Sequence, residues 1–324
     1  MTPGEAAAGA LAGRAQWRWP EFAFWGAAAA SFFLLPDQHL LLNEAAILGL
    51  FALSLDLVLG YAGIISLGHA AFFGCGAYVA GMLARAGYGD PLLGLAAAAG
   101  AATILGFFTS FLVLRGSDLT RLMVTLSVSL VLFELANKLA WLTGGADGLQ
   151  GMVVGPVLGQ EFDIFGRTAY GYSLAITFVL FLLARRVMNA PFGVSVRAVK
   201  GNALRTAAIG IPVNARLVAV YTMAAAYAGI AGALLAQTTQ FVSLDVIAFH
   251  RSADVMLTLV LGGVGYLYGG LIGALVFKLA QSFLSDLTPE YWQFWIGLVF
   301  VALVVIGRER VFGWPRTLVA RWRR

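Results

Sequence analysis

The sequence predicts an all-α, polytopic membrane protein with about 8–10 transmembrane helices, some of them broken or re-entrant at glycine-rich segments. Of the 324 residues, 60% are hydrophobic and 11% are charged, whereas soluble domains average about 45–50% and 25%. The mean hydropathy is +0.85. The 39 glycines are typical of helices that pack closely in lipid. A soluble globular fold is therefore excluded.

Apolar runs that approach the ~20 residues needed to span a membrane recur along the chain. In order they are 22–35, 40–59, 64–83, 92–114, 119–142, 172–185, 217–239, an interrupted run at 253–284, and 291–306. The first and sixth runs are short, and we expect them to extend at their ends. All are rich in Ala, Leu and Gly and lack the alternation of barrel strands, so each is predicted to be helical.

Lys and Arg residues cluster, and this predicts the sidedness of the loops. They precede the first run, flank one short turn, fill residues 188–216 and end the chain. The positive-inside rule therefore predicts a cytoplasmic leader at 1–20, a cytoplasmic loop at 188–216 and a basic cytoplasmic tail at 308–324. The loop 143–171 has Asp147, Glu161 and Asp163 against the single Arg167 and is predicted to lie outside. Residues 21–307 are predicted to form the membrane domain.

The run at 253–284 is predicted to be interrupted. Two cytoplasmic termini need an even number of crossings, but there are nine apolar runs. The sequence G-G-V-G-Y-L-Y-G-G at 262–270 favours a break into two halves that enter and return on one side, with the irregular backbone covered by protein or water. The alternative is a kinked single span and a miscounted run elsewhere.

Motifs for enzymatic chemistry are missing from the sequence. It has no P-loop motif for ATP and no nucleophile elbow. His39, His69 and His250 are far apart, and Cys75 is the single cysteine, which excludes a disulfide framework. We therefore predict no catalytic residue, no metal site and no nucleic-acid partner. A polytopic chain without a catalytic set is most often a transporter.

The strongest local pattern is G-Y-A-G-I-I-S-L-G-H-A-A-F-F-G-C-G-A-Y at 60–78. Its glycines permit non-helical backbone or very close helix contacts. Ser66 and His69 place polar groups in an apolar setting, where they usually face a bundle interior or a wet cavity. For His69, packing and pathway-lining are equally good interpretations.

Together with three later segments, this pattern resembles the Liv-type branched-chain amino acid permeases of ATP-binding-cassette (ABC) importers, specifically the M-type subunit. The later segments are T-G-G-A-D-G-L at 143–149, A-P-F-G at 190–193 followed by Arg197, Ala198 and Asn202, and V-L-G-G at 260–263 followed by Gly269 and Gly273. The four motifs occur in the family's order, and the resemblance spans about residues 60–307.

The resemblance implies a short cytoplasmic helix that docks on a separate ATPase. The matching residues are Arg197, Lys200, Asn202, Ala203, Arg205, Ala207, Ala208 and Gly210. The residues themselves predict a helix over 203–209, with Asn202 as its N-cap and Gly210 and Pro212 at its end. Relatives usually carry acidic residues in this helix, where this chain has Ala203 and Ala207. The alternative is an interfacial helix held by anionic lipid.

Glycine-flanked breaks supply exposed backbone groups along the pathways of other transporters. We therefore predict that the two breaks line a translocation pathway. The candidate residues are Gly60, Tyr61, Gly63, Ser66, Gly68, His69, Gly262, Gly263 and Gly265.

The resemblance also implies partners in the bacterial inner membrane. They are a second homologous permease, two ABC ATPase subunits that carry ATP and Mg, and an external substrate-binding protein, with the lipid bilayer around the chain. The chain itself would bind no cofactor. The family moves branched-chain amino acids, and relatives move urea, short amides or aromatic acids. A stand-alone secondary transporter or channel is the alternative function, and a non-transporting scaffold is a third.

Overall fold

The computed structural model describes Trp17 and residues 19–157, 159–163, 165–291, 294–298 and 301. These residues form helices joined by turns and irregular segments, with two isolated bridges and no strand. The helices are α1 (Trp19–Leu34), α2 (His39–Asp56), α3 (Ala70–Arg85), α4 (Pro91–Val113), α5 (Asp118–Lys138), α6 (Ala140–Thr143), α7 (Arg167–Asn189), α8 (Pro191–Gly201), α9 (Ala203–Ala208), α10 (Val213–Thr239), α11 (Phe249–Gly262) and α12 (Leu267–Leu287). The predicted all-α class is confirmed.

Six stretches of the described residues are long and apolar enough to cross a membrane. They are Pro36–Tyr61, Pro91–Val113, Asp118–Lys138, Arg167–Asn189, Val213–Thr239 and Leu267–Leu287. The fourth extends the short predicted run 172–185 at both ends, as expected. Helix α3 is apolar but has 16 residues, about 24 Å. This is short of a hydrocarbon core about 30 Å thick.

Small residues bring α3, α4 and α10 into close contact. Gly76 of α3 lies against the backbone of Gly229 in α10, and Gly106 of α4 lies against Ala225 of α10. In lipid, such contacts replace the hydrophobic effect as the source of helix association, because they let backbones approach and gain dispersion energy. Helix α4 packs on α3 and α10 in this way, and more than half of the residues of each of α2, α3 and α10 are buried.

Polar contacts fasten one end of this bundle. The Tyr172 hydroxyl donates to Gln237 Oε1 at 3.0 Å, and Gln237 Nε2 donates to the Pro91 carbonyl at 2.8 Å. Leu149 and Val242 form a backbone bridge nearby. We call this the 144–166 end, after the irregular loop that lies there, and the other the α8–α9 end.

Asp163 fixes the last part of that loop to α7. Its Oδ1 accepts the backbone N–H of Thr168 at 2.8 Å. Although partial burial acts to raise the pKa of Asp163, hydrogen bonds from the backbone N–H groups of Thr168 and Arg167 hold this pKa below its ordinary value. The carboxylate therefore stays ionised at the start of α7, where the helix dipole favours negative charge.

The first predicted break is present, but it displaces the start of the next helix. Helix α2 continues through a π-helical turn at Leu57–Tyr61, and residues 62–69 are not helical. The run predicted as helical over 64–83 therefore begins its helix at Ala70. Gly63 has φ +74°, and a side chain at Gly68 would collide with the Thr125 carbonyl of α5. Both positions require glycine in a non-helical segment.

The second predicted break lies between α11 and α12. Gly263 and Gly265 have φ +114° and +85°, which side-chain-bearing residues rarely adopt. The end of α11 lies close to the start of α12, because a side chain at Gly262 would collide with the backbone of Gly269. The predicted interruption is thus present with unequal arms: α11 has 14 residues, and α12 has 21 and is long enough to cross alone.

The chain divides into two compact units, Met1–Leu275 and Val276–Arg324. The first holds α1 to α11 and the first turns of α12. In the second, the described residues are the rest of α12, the turn at 288–291, and helical residues at 294–298 and 301. The predicted leader 1–20 lies outside the described residues except for Trp17, Trp19 and Pro20, and the predicted basic tail 308–324 lies wholly outside them.

Candidate functional site

Two irregular segments and the helices that follow them form a pair of antiparallel broken crossings. The first crossing is residues 62–69 followed by α3, and the second is residues 240–248 followed by α11. Along α3, Gly81 faces Val242, Gly74 faces Ile247, and the Ala70 N–H donates to the Ser252 hydroxyl at 2.9 Å. The second crossing therefore runs down α3 as the chain advances, and each irregular half lies beside the helical half of the other.

The two crossings change from irregular to helical near the middle of the bundle. Ser129 Oγ donates to the Ile247 carbonyl at 3.1 Å, and Ser129 lies about 15 Å from each end of α5. Since α5 is long enough to span the membrane, Ile247 lies near mid-depth. The Leu67 N–H donates a hydrogen bond to the Thr125 hydroxyl at 3.3 Å. Irregular backbone at this depth is thus covered and bonded by protein, as a bilayer requires.

The polar candidates of the first break point into the subunit. His69 is fully buried; its Nε2 lies 2.9 Å from Ser54 Oγ, and its ring stacks on Phe51 with centroids 5.7 Å apart. Ser66 is also buried. This geometry favours the packing interpretation for His69 within one subunit, while its role in a pathway stays a prediction.

The irregular segment exposes alternate residues, as an extended chain does. Gly63, Ile65 and Leu67 are partly exposed, whereas Ile64 and Ser66 between them are buried. The sequence analysis did not separate these two faces. If this segment borders a pathway, the partly exposed face is the one that reaches it.

Both breaks are tied to α8 at the α8–α9 end. Lys200 Nζ donates to the Gly60 carbonyl at 2.7 Å. Asp56, one turn earlier, accepts the Gly265 N–H at 2.6 Å. The buried Gly60 backbone lies directly against Gly265, with no space for a side chain between them. Helix α8 thus contacts the first break through Lys200, and the first break contacts the second through Gly60, Asp56 and Gly265.

Other candidates reinforce this connection. The Arg197 guanidinium donates to the Met188 carbonyl at 2.9 Å and lies 5.6 Å from the ring centre of buried Tyr61. Cation–π contacts of this kind add about 0.5–2 kcal/mol. Arg197 and Lys200, predicted as coupling residues, are thus brought to Tyr61 and Gly60, predicted as pathway residues.

The predicted helix after Asn202 is confirmed. The Asn202 side chain accepts the Arg205 N–H at 2.9 Å, α9 covers Ala203–Ala208, and Gly210 at φ +86° ends the segment. Thr206 is buried, and the apolar residues Leu204 and Ile209 are 86% and 70% exposed. These two side chains are the large exposed apolar residues of this segment. The other predicted coupling positions, Arg205, Ala207 and Ala208, are exposed.

Helix α8 was not predicted, although the sequence contains its start signal. Pro191 occupies the first helical position, where proline is favoured because its missing N–H costs nothing there. This short helix sets Lys200 against Gly60, so the connection between the coupling segment and the breaks could not be seen without it.

An ionic cluster near mid-depth was also missed. His250 Nε2 lies 2.6 Å from Asp245 Oδ1, and Arg251 Nη2 lies 2.8 Å from Asp245 Oδ2. The Asp245, His250 and Arg251 side chains are 46%, 59% and 29% exposed. Sequence reasoning set His250 aside because its spacing suits no metal motif. The available signal was an Asp and a His-Arg pair immediately before the apolar run 253–284.

Within the residues that the structure describes, no group of three or more His, Cys, Asp or Glu side chains is arranged to hold a metal ion. The candidate site therefore consists of backbone breaks, one ionic cluster and a helical segment at the α8–α9 end.

Long apolar helices, backbone breaks near mid-depth and charged side chains at that depth together define a membrane transport protein. The chain belongs to the family described as branched-chain amino acid transport system / permease component, whose profile matches residues 39–304.

Characterised relatives are permeases. The chain is 28% identical to the high-affinity branched-chain amino acid transport system permease protein LivM of Escherichia coli K12 and 29% identical to LivM of Salmonella typhimurium. Each match covers 79% of this chain and 65% of the relative, so the chain matches less than two thirds of their length. It is also 28% identical to the L-arabinose ABC transporter permease protein AraH of Azospirillum brasilense, over 84% of this chain and 80% of the relative. No solved structure matches the chain significantly.

Proposed function

We propose that the chain is the transmembrane permease subunit of an ABC importer for branched-chain amino acids or related small amides and carboxylates. The observation that carries this is the direct bond from the predicted coupling segment to the breaks, Lys200 to Gly60. A stand-alone channel has no need of an exposed cytoplasmic helix fastened to its backbone breaks. The names of the LivM relatives support the amino-acid substrate.

The motor would be a separate ATPase that binds ATP and Mg, docked on α9. Leu204 and Ile209 present an exposed apolar surface there, and neighbouring Arg205 supplies positive charge. Such a surface suits a groove on a partner protein. Because the acidic residues usual in relatives are absent, docking would depend on shape and apolar contact. This chain would not hydrolyse ATP.

Alternating access follows from the attachment of both breaks to one helix. When the ATPases close, α9 and α8 move together. Lys200 then displaces Gly60, and Gly265 follows through its contacts with Gly60 and Asp56. The pathway would open to one side at a time as each ATPase state favours one arrangement of the breaks.

The pathway would run between this chain and a second homologous permease. The support is the ionic cluster, because half-exposed charges near mid-depth need water or a protein partner in place of lipid. An external binding protein would deliver substrate at the 144–166 end. In this proposal the chain spans the bacterial inner membrane many times with both termini in the cytoplasm.

Reconstitution tests the proposal. The chain is placed in vesicles with its second permease, binding protein and ATPases, and uptake of labelled L-leucine is measured with and without the ATPase subunits. We expect concentrative uptake only in their presence. Concentrative uptake by this chain alone would favour a secondary transporter. The AraH relative makes L-arabinose the second substrate to assay.

A further inference from the structure

The Asp245–His250–Arg251 cluster places charged side chains at a level where they are costly. It links one irregular segment to the first turn of the helix that follows it, α11. At bilayer mid-depth, each charged residue costs about 2.5–3.5 kcal/mol on insertion scales unless water or a partner receives it. Pro, Gly or Ser would shape such a turn without this cost.

The position of the cluster follows from neutral contacts that are independent of its own charges. Ile247, between Asp245 and His250, receives a hydrogen bond from Ser129, near the middle of α5. Ser252, immediately after Arg251, receives the first N–H of α3. The cluster is thus confined to the level where both crossings change from irregular to helical.

The cluster is also accessible and incompletely paired. Asp245 and His250 each expose about half of their side chains. The buried Nε of Arg251 has no hydrogen-bond partner among the described residues. The Arg251 side chain is 29% exposed and lies beside the 46% exposed Asp245 carboxylate, so one cationic and one anionic group border the same space.

We propose that Arg251 and Asp245 form a transit site for a zwitterionic α-amino acid, with His250 as a further contact. The inference rests on the proposed function. The substrate carboxylate binds Arg251, and the substrate ammonium binds Asp245. Both protein charges keep an opposite charge when their mutual bond opens. A ligand with one charge leaves the other group unpaired in a low-dielectric setting, which is strongly unfavourable.

Apolar side chains at the same level suit the rest of such a substrate. Phe249 is 47% exposed beside the charged groups. Leu67, partly exposed, lies three residues before Ala70, whose N–H meets Ser252. The site thus offers an ionic pair next to aromatic and aliphatic surface, which matches an amino acid with a branched aliphatic side chain.

A cysteine reporter tests the site in the assembled transporter. Cys75 is replaced by Ala, Phe249→Cys supplies one thiol beside the cluster, and Ile104→Cys, 60% exposed near the middle of α4, is the depth-matched control. A charged methanethiosulfonate is applied to the complex in nanodiscs with and without nucleotide. We expect Phe249→Cys to react in at least one nucleotide state and Ile104→Cys to stay unmodified.

Protection then identifies the ligand chemistry. L-leucine at about ten times its dissociation constant or more should slow modification of Phe249→Cys by about tenfold or more, because only unoccupied sites react. 4-Methylpentanoate lacks the ammonium and 3-methylbutylamine lacks the carboxylate, so neither should protect. Arg251→Gln should abolish protection by leucine, Arg251→Lys should keep part of it, and Arg121→Gln, which breaks an exposed pair at the far end of α5, should leave it unchanged.

Several outcomes would overturn the inference. They are equal reaction of the two cysteines, no reaction at Phe249→Cys, no protection by leucine, or equal protection by a single-charge analogue. ATPase-dependent leucine uptake is measured on the same complex. If uptake needs the ATPases and leucine does not protect, the transit site fails and the proposed function stands; if uptake needs no ATPase, the proposed function fails.

Discussion

The two broken crossings have the same geometry and opposite chemistry. In the first, the irregular residues 62–69 are apolar or glycine except for Ser66 and His69, which are buried, and the segment is tied to α8 by Lys200. In the second, residues 240–251 carry half-exposed Asp245 and His250 with Arg251. We infer a division of labour in which the first crossing transmits movement and the second crossing contacts the transported molecule.

The largest expected effect comes from filling the first break. Gly68→Leu places a side chain on the Thr125 carbonyl, so α5 must shift or the segment must leave its place. Overpacking of this kind costs about 1–3 kcal/mol or more, and we expect uptake to be abolished while the subunits still assemble. Uptake assays with co-purification measure both.

The matched control for that prediction is Gly100→Leu in α4, where nothing lies within 4 Å of an added Cβ atom. Its uptake should remain near that of the unaltered chain. Full uptake by Gly68→Leu would remove residues 62–69 from the moving part of the protein.

A slightly smaller loss of uptake is expected from a substitution at Gly210, the last of the predicted coupling residues. Gly210→Pro cannot keep φ +86°, because proline holds φ near −65°, so α9 should lose its position relative to α10. ATP hydrolysis should continue without uptake. Measured as transported molecules per ATP, the coupling ratio should fall, whereas Gly201→Ala, with open space around it, should preserve it. A normal ratio in Gly210→Pro would contradict docking at α9.

Lys200→Met tests whether the first break is driven through one bond. Hydrogen bonds to charged groups contribute about 1.5–3 kcal/mol, so uptake at a fixed rate of ATP hydrolysis should fall by about tenfold. Lys138→Met, an exposed lysine at the other end of the bundle, serves as control. Equal behaviour of the two variants would mean that α8 drives the breaks by another route.

The smallest expected effect is a difference in thiol reactivity between the two faces of residues 62–69. In a Cys75→Ala background, Leu67→Cys should react with a charged thiol reagent and Ile64→Cys should not, because Leu67 is partly exposed and Ile64 is fully buried. Rate constants of modification report the difference. Reaction at both positions, or at Ile64 alone, would contradict the assignment of faces.

The sequence predicted the features that depend on composition and local chemistry. Hydropathy located the long helices, and the Asn202 cap with Gly210 located α9. The irregular segment 62–69 before α3 was missed because its causes are distant in sequence. The Thr125 carbonyl excludes a side chain at Gly68, and the Thr125 hydroxyl accepts the Leu67 N–H. An apolar run of residues 64–83 contains no sign of either contact.

The sequence likewise predicted one part of the candidate site and missed another. The glycine breaks are present, but which of their residues face outward depends on packing against α5 and α11. The ionic cluster was missed because its charges look like those of an ordinary polar loop. Their significance comes from their depth, which only the Ser129–Ile247 contact reveals.

The link from Gly60 to Gly265 has a consequence for the order of events in a transport cycle. Among the described contacts above, α8 holds the first break directly and reaches the second only through Gly60 and Asp56. The two breaks are thus connected in series, and the turn at Gly263 and Gly265 would respond after residues 57–63 have shifted. A time-resolved probe on each break would record a lag between their movements. The length of this lag depends on the stiffness of the hydrogen bond from the Gly265 N–H to Asp56.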